Sequence, residues 1–121
     1  MELKHLSSYL PYGFKVKFKD QIGIVEGIDK SNLIIKYNDL IFVKHYNLVK
    51  PILRPLSDLT ANEVSEIPII IGGLSSFGIL NRIIIKPFYH SNGYMLQYLF
   101  KNHYDVFGLI EKGEAVDINE L

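Results

Sequence analysis

Apolar and polar residues alternate without interruption from Phe14 to Lys19. Phe14, Val16 and Phe18 therefore share one side of an extended segment, and Lys15, Lys17 and Lys19 share the other, the pattern of a half-buried strand. Asp20-Gln21 turns the chain. Ile22 to Ile28 reads as a second strand, with Ile22, Ile24, Glu26 and Ile28 on one side and Gly23 and Gly27 on the other. Glycines inside a strand mark bulges or close backbone approach. Asp29-Lys30-Ser31-Asn32 is a turn cluster, Leu33 to Tyr37 a third strand, Asn38-Asp39 a two-residue turn and Leu40 to Tyr46 a fourth strand.

Strands joined by such short loops pair antiparallel with their neighbours. The meander resembles the small SH3-like or Sm-like barrels. Before it, Leu3, Leu6 and Leu10 fall on one face of a short helix or turn that Pro11 stops. After it, Lys50-Pro51-Ile52-Leu53-Arg54-Pro55 leaves the sheet as an extended linker. It must lie along something, because Ile52 and Leu53 would otherwise be exposed. Thr60-Ala61-Asn62-Glu63 has capping-box spacing and predicts a helix from Ala61 to about Ile67, ended by Pro68. Ile69–Ile71 and Ile83–Ile85 read as buried strands, and Gly72-Gly73 and Ser75-Ser76 as loop. Ser91 or Asn92 caps a helix from Gly93 to about Asn102, with Met95, Tyr98 and Leu99 on one face and Leu96 and Phe100 on an adjacent one. In the tail, Glu111-Lys112-Gly113-Glu114 is either the turn of a hairpin pairing Phe107–Ile110 with Ala115–Ile118 or part of a helical turn leading into a strand. The expected fold is α+β: a small antiparallel sheet or barrel over residues 13–50, a proline crossover over 51–59, and a mixed helical half with a docked tail over 60–121. Together these make one domain.

Composition supports a folded chain. Of 121 residues, 48% are hydrophobic and 21% charged, which argues against intrinsic disorder. The absence of cysteine rules out disulfides, thiolate metal sites and a cysteine nucleophile, and fits a reducing cytosol. No apolar run approaches the roughly 20 residues that span a bilayer. The formal net charge is zero but unevenly placed. Residues 1–54 hold nine cationic and five acidic side chains, and residues 105–121 hold five acidic ones against Lys112 alone. Such asymmetry points either to a nucleic-acid face with an acidic tail or to an acidic end folded back on a basic half.

Reactive constellations are sparse. His5, His45, His90 and His103 have no metal-ligand spacing, and no cofactor is expected. His103-Tyr104-Asp105 sets a base beside an acid in sequence, but neighbouring residues point in different directions. Gly72 to Gly78 lacks a phosphate-loop ending. The constellation best suited to function is basic and aromatic. Lys15, Lys17 and Lys19 on one strand, with Lys36, Lys44, Tyr37 and Tyr46 on its neighbours, suit phosphate contact and base stacking. Their plainer role is a solvated face with lysines blunting an edge. Tyr89, Tyr94, Tyr98 and Tyr104 bracket the C-terminal helix, and Tyr94, Tyr98 and Tyr104 above all suit a protein interface, or equally the rim of a core.

Three blocks then carry a resemblance: Tyr9-Leu10-Pro11-Tyr12-Gly13, Lys50-Pro51-Ile52-Leu53-Arg54-Pro55-Leu56-Ser57-Asp58-Leu59, and His103-Tyr104-Asp105-Val106-Phe107-Gly108-Leu109-Ile110-Glu111-Lys112-Gly113 through Asn119. Together they resemble a family of small proteins of unassigned biochemistry encoded in phages, prophages and similar mobile elements. Family members often have a tryptophan before the histidine and an apolar residue after the last glycine, where this chain has Asn102 and Glu114. The resemblance implies a mobile-element origin and a bacterial host cytoplasm as workplace, and it carries over no catalytic residue. By analogy with anti-CRISPR proteins, it implies a non-enzymatic binder of a host protein or ribonucleoprotein that acts against bacterial immunity. A nucleic-acid-binding module of phage metabolism and a structural virion component are the alternatives. The oligomeric state is left open.

Overall fold

The computed structural model describes residues 2–65 and 93–121. In chain order these form α1 (Leu3–Ser7), a 3-10 turn at Leu10–Tyr12, β1 (Phe14–Phe18), β2 (Gln21–Asp29), β3 (Asn32–Tyr37), β4 (Leu40–His45), a 3-10 turn at Tyr46–Leu48, β5 (Lys50–Leu53), a 3-10 turn at Leu56–Asp58, α2 (Ala61–Ser65), α3 (Gly93–Lys101), β6 (Val116–Asp117) and a last 3-10 turn at Ile118–Glu120. The expected strands at Ile69–Ile71 and Ile83–Ile85, the Gly72 to Gly78 loop and the Ser91 or Asn92 cap lie outside the described residues.

The fold is α+β, built on one six-stranded sheet in the order β4-β3-β2-β1-β5-β6. Neighbours pair antiparallel except β5 and β6, which run parallel. The sheet is open, with β4 and β6 at its two edges, and does not close into an SH3-like or Sm-like barrel. The three hairpins are tight. Lys19 and Asp20 have φ of 46° and 63°, and Asn38 and Asp39 have φ of 47° and 62°. Left-handed backbone at both central positions matches the right-handed twist of the flanking strands. Lys19 is thus a turn residue and does not extend the row of Lys15 and Lys17.

Phe14, Val16 and Phe18 face the core as the alternation requires. Each buried side chain of this size contributes about 2 kcal/mol. On β2 it is the glycine side that turns inward. Gly23 and Val25 are buried, while Ile22 and Ile24 face out. A Cβ at Gly23 would strike the Ile35 side chain and come within 3.1 Å of Phe18 Cε1, so the sheet closes up where a side chain is missing. A bulge between Val25 and Gly27 shifts the register and returns Ile28 to the core side, opposite Leu33.

The expected linker at Lys50–Leu53 is instead a strand inside the sheet. β5 pairs with β1 through Lys17↔Lys50 and Val16↔Pro51, and with β6 through Ile52↔Val116 and Leu53↔Asp117. Pro51, Ile52 and Leu53 are all buried. Proline is tolerated because it sits near the start of a strand whose pairing with β1 covers two positions. The tail forms no hairpin. Phe107–Gly113 is a chain of turns, and only Val116–Asp117 joins the sheet. Leu6, Tyr9 and the inward side chains of β1, β2, β3 and β5 form one core with Leu109 and Ala115 of the tail. Leu59, Val64, Met95, Leu99, Tyr104 and Val106 form a second core.

Candidate functional site

The outer face of the sheet is the most distinctive surface. Strand register builds one straight rank across it: Lys15 opposite Ile24, Ile24 opposite Lys36, and Lys36 opposite Ile41. A second row sets Lys17 opposite Ile22, and a third sets Ile34 opposite Val43. Ile22, Ile24, Ile41 and Val43 are between 43% and 60% exposed. Isolated apolar residues on a surface need no explanation, but a contiguous group rimmed by charge is the signature of a docking surface. Lysine stems extend that apolar area while their ammonium groups stay in water. Among the described residues no ion pair involves Lys15, Lys17 or Lys36. Exposed Glu26 lies on the same side of β2 as Ile22 and Ile24, so the face carries one acid beside its lysines.

The sequence-predicted residues separate into distinct places. Lys15, Lys17 and Lys36 share the outer face. Lys19 lies in the β1–β2 turn. Lys44 is opposite Leu33 and half-buried on the other side of the sheet. Tyr37 packs inward against Phe18 and Phe42, at 6.2 and 6.3 Å between ring centroids. Tyr46 stacks on His45 at 4.7 Å, off the lysine rank. The lysines thus have aliphatic neighbours in place of the expected tyrosines. The aliphatic residues of the face, Ile22, Ile24, Ile34, Ile41 and Val43, were not foreseen as a group. For Ile41 and Val43 the signal was Leu40-Ile41-Phe42-Val43, an unbroken apolar run on an edge strand, which commits apolar side chains to both faces.

Of the three tyrosines near α3, Tyr94 is 64% exposed and Tyr98 is half-buried beside the second core. Tyr104 is fully buried and cannot serve as an interface anchor. It is instead the centre of a junction. Its hydroxyl donates to Glu63 Oε2 at 2.5 Å, and the Arg54 guanidinium lies 4.1 Å over its ring and 3.4 Å from Glu63 Oε1. Glu63 is held by the foreseen capping box, with Thr60 Oγ1 accepting the Glu63 N–H at 3.2 Å. Burial first, and then the bond to Glu63, push the Tyr104 phenol well above its ordinary range. Arg54 N–H donates to the His103 carbonyl and Asp105 N–H to the Arg54 carbonyl, both at 2.8 Å. Tyr9, also fully buried, donates its hydroxyl to the Tyr104 carbonyl at 2.6 Å and accepts the Val106 N–H at 3.2 Å. Burial raises its phenol likewise.

His103, Tyr104 and Asp105 therefore hold three separate posts. His103 follows α3 with a left-handed φ of 60°. Asp105 accepts the Leu109 and Ile110 N–H groups at 2.8 and 2.9 Å and so fixes the turn of the tail. These bonds bring three distant stretches of the chain to one place: Tyr9 from the first, Arg54 from the second, and Tyr104 to Val106 from the third. Among the described residues no group of three His, Asp or Glu side chains could hold a metal ion, and no helix is long and apolar enough to cross a membrane. No protein-family model matches the chain, and neither the curated proteins nor the solved structures yield a significant match.

Proposed function

We propose that this is a non-enzymatic binding protein whose working surface is the outer face of the sheet. The Lys15–Ile24–Lys36–Ile41 rank is the observation that supports the reading. It combines a desolvatable aliphatic centre with lysines that form no ion pair among the described residues. The first supplies affinity and the second steers encounter. The partner in this reading is a host protein or ribonucleoprotein. The mobile-element setting, the host cytoplasm and the purpose of countering bacterial immunity rest on the sequence resemblance and its analogy. A nucleic-acid role remains the second reading, supported by the same three lysines. The aliphatic neighbours of those lysines and the inward packing of Tyr37 give it no stacking platform on this face.

The test is gel filtration of bacterial lysate supplemented with the purified protein. Co-elution with one host complex is expected, and the double variant Ile24→Glu/Ile41→Glu should elute alone. Wild-type protein eluting alone in every host lysate would remove the binding reading. Equal co-elution of the double variant would remove this face from it. A titration with single-stranded DNA, duplex DNA and RNA at two salt concentrations decides the second reading. Affinity that collapses with salt through released counterions would support it.

A further inference from the structure

The two edges of the sheet are protected very differently. β6 ends one side with two residues. β4 ends the other with six, of which Leu40, Ile41 and Val43 are 58%, 56% and 60% exposed. Soluble proteins blunt such edges with proline, bulges, short strands or several charges. β4 contains no proline, pairs with β3 in unbroken register, and has Lys44 as its single lysine.

The hairpin decides which backbone groups of β4 are free. A two-residue turn closes on a hydrogen-bonded pair, here Tyr37↔Leu40, and bonded and non-bonded pairs alternate from it. Leu40, Phe42 and Lys44 thus turn their N–H and C=O groups toward β3. The Tyr46 N–H donating to the Ser31 carbonyl at 3.0 Å falls on the same alternation. Ile41, Val43 and His45 turn theirs to the open edge, an evenly spaced row of donors and acceptors.

We propose that β4 pairs antiparallel with β4 of a second copy of this chain, about a twofold axis at Val43, so that one sheet continues through two molecules. Opposed residues of an antiparallel pair share a face, which limits the registers available. The register centred on Val43 sets Val43 against its own copy and Ile41 against His45, and it uses every outward backbone group of both strands. A register centred on Phe42 leaves those of His45 unused. The charge pattern also fits a second copy. Lys44 falls opposite Phe42, so no lysine faces a lysine, and a formal net charge of zero leaves no long-range repulsion between molecules. The pairing uses the backbone edge of β4 and does not rest on the proposed function, and Ile41 and Val43 border both surfaces.

Sedimentation equilibrium of the full chain from low to high micromolar concentration reads the association directly, with circular dichroism confirming that each variant is folded. Wild-type protein is expected to dimerise. Val43→Lys, which opposes two lysines at the axis, should weaken dimerisation by about tenfold or more. The chain has no cysteine of its own, so single cysteines report position cleanly. Under mild oxidation Val43→Cys should form a disulfide-linked dimer, because opposed strand positions lie within disulfide reach, and Leu40→Cys should not, because Leu40 overhangs the seam. A wild-type monomer at every concentration would overturn the proposal. So would a dimer that survives Val43→Lys undiminished, or one in which Leu40→Cys cross-links as readily as Val43→Cys.

Discussion

At the tail junction the hydroxyls of two buried tyrosines are both satisfied, whereas on the outer face Ile22, Ile24, Ile41 and Val43 stand half in water beside lysines that form no ion pair among the described residues. The junction is largely buried and built from residues far apart in sequence, with His103 Nε2 the buried polar side-chain atom left without a partner among the described residues. The face is wet, unsaturated and built from adjacent hairpins. Buried contacts are concentrated in the first region and accessible apolar area in the second, so substitutions in the two should move different measurements.

The largest expected effect is at Tyr9. Tyr9→Ala removes a fully buried ring and both hydrogen bonds of its hydroxyl, leaving the Val106 N–H and the Tyr104 carbonyl only their own 2.9 Å bond, at a cost of about 4 kcal/mol in denaturant unfolding. Tyr9→Phe keeps the ring and isolates the hydrogen bonds, at about 2 kcal/mol. A Tyr9→Phe midpoint equal to wild type would show that the lock is packing alone.

Alkaline pH should act on the same junction. Burial disfavours the phenolates of Tyr9 and Tyr104, so both titrate above the free value of 10.0. Their contribution is fully present below pH 10, the unfolded value, and is lost as pH rises toward the folded values. Phenolate absorbance should therefore show Tyr9 and Tyr104 ionising late and together with loss of structure. Ionisation of all eight tyrosines before any unfolding would contradict the arrangement.

The smallest stability effect belongs to the outer face. Ile24→Glu/Ile41→Glu should shift the unfolding free energy by no more than about 0.5 kcal/mol per site, since both side chains already stand in water. A much larger loss would make the face a structural surface and dissolve the contrast with the junction.

How much of this was legible depends on how local the cause is. The Asn38-Asp39 turn was readable because its residue types tolerate the backbone such a turn demands. The alternation of β1 fixed its orientation, yet it continued one residue too far, because Lys19 is polar whether it ends a strand or starts a turn. Gly23 and Gly27 announced a close approach and a bulge, and both are present, but only the packing of Ile35 against Gly23 shows which side is inward. Lys50–Leu53 was hidden by its proline, which reads locally as a break even though Ile52 and Leu53 demand burial. The turn of the tail could not be chosen from its own residues. It is pinned by a tyrosine 95 positions earlier and by Asp105. The outer face was half visible: its lysines follow from periodicity, and its isoleucines follow only from the register of four strands.

The bond between Tyr9 and the backbone of Tyr104 also has a bearing on biosynthesis. Residues 104–115 emerge from the ribosome long after the hairpins of the sheet, and they supply Leu109 and Ala115 to the core those hairpins face. Until then the nascent sheet has an unfinished lid over Phe14, Val16 and Leu33, and the closing contacts carry the loop-closure cost of a long separation. Completion of that core therefore waits for residues 104–115 to be made.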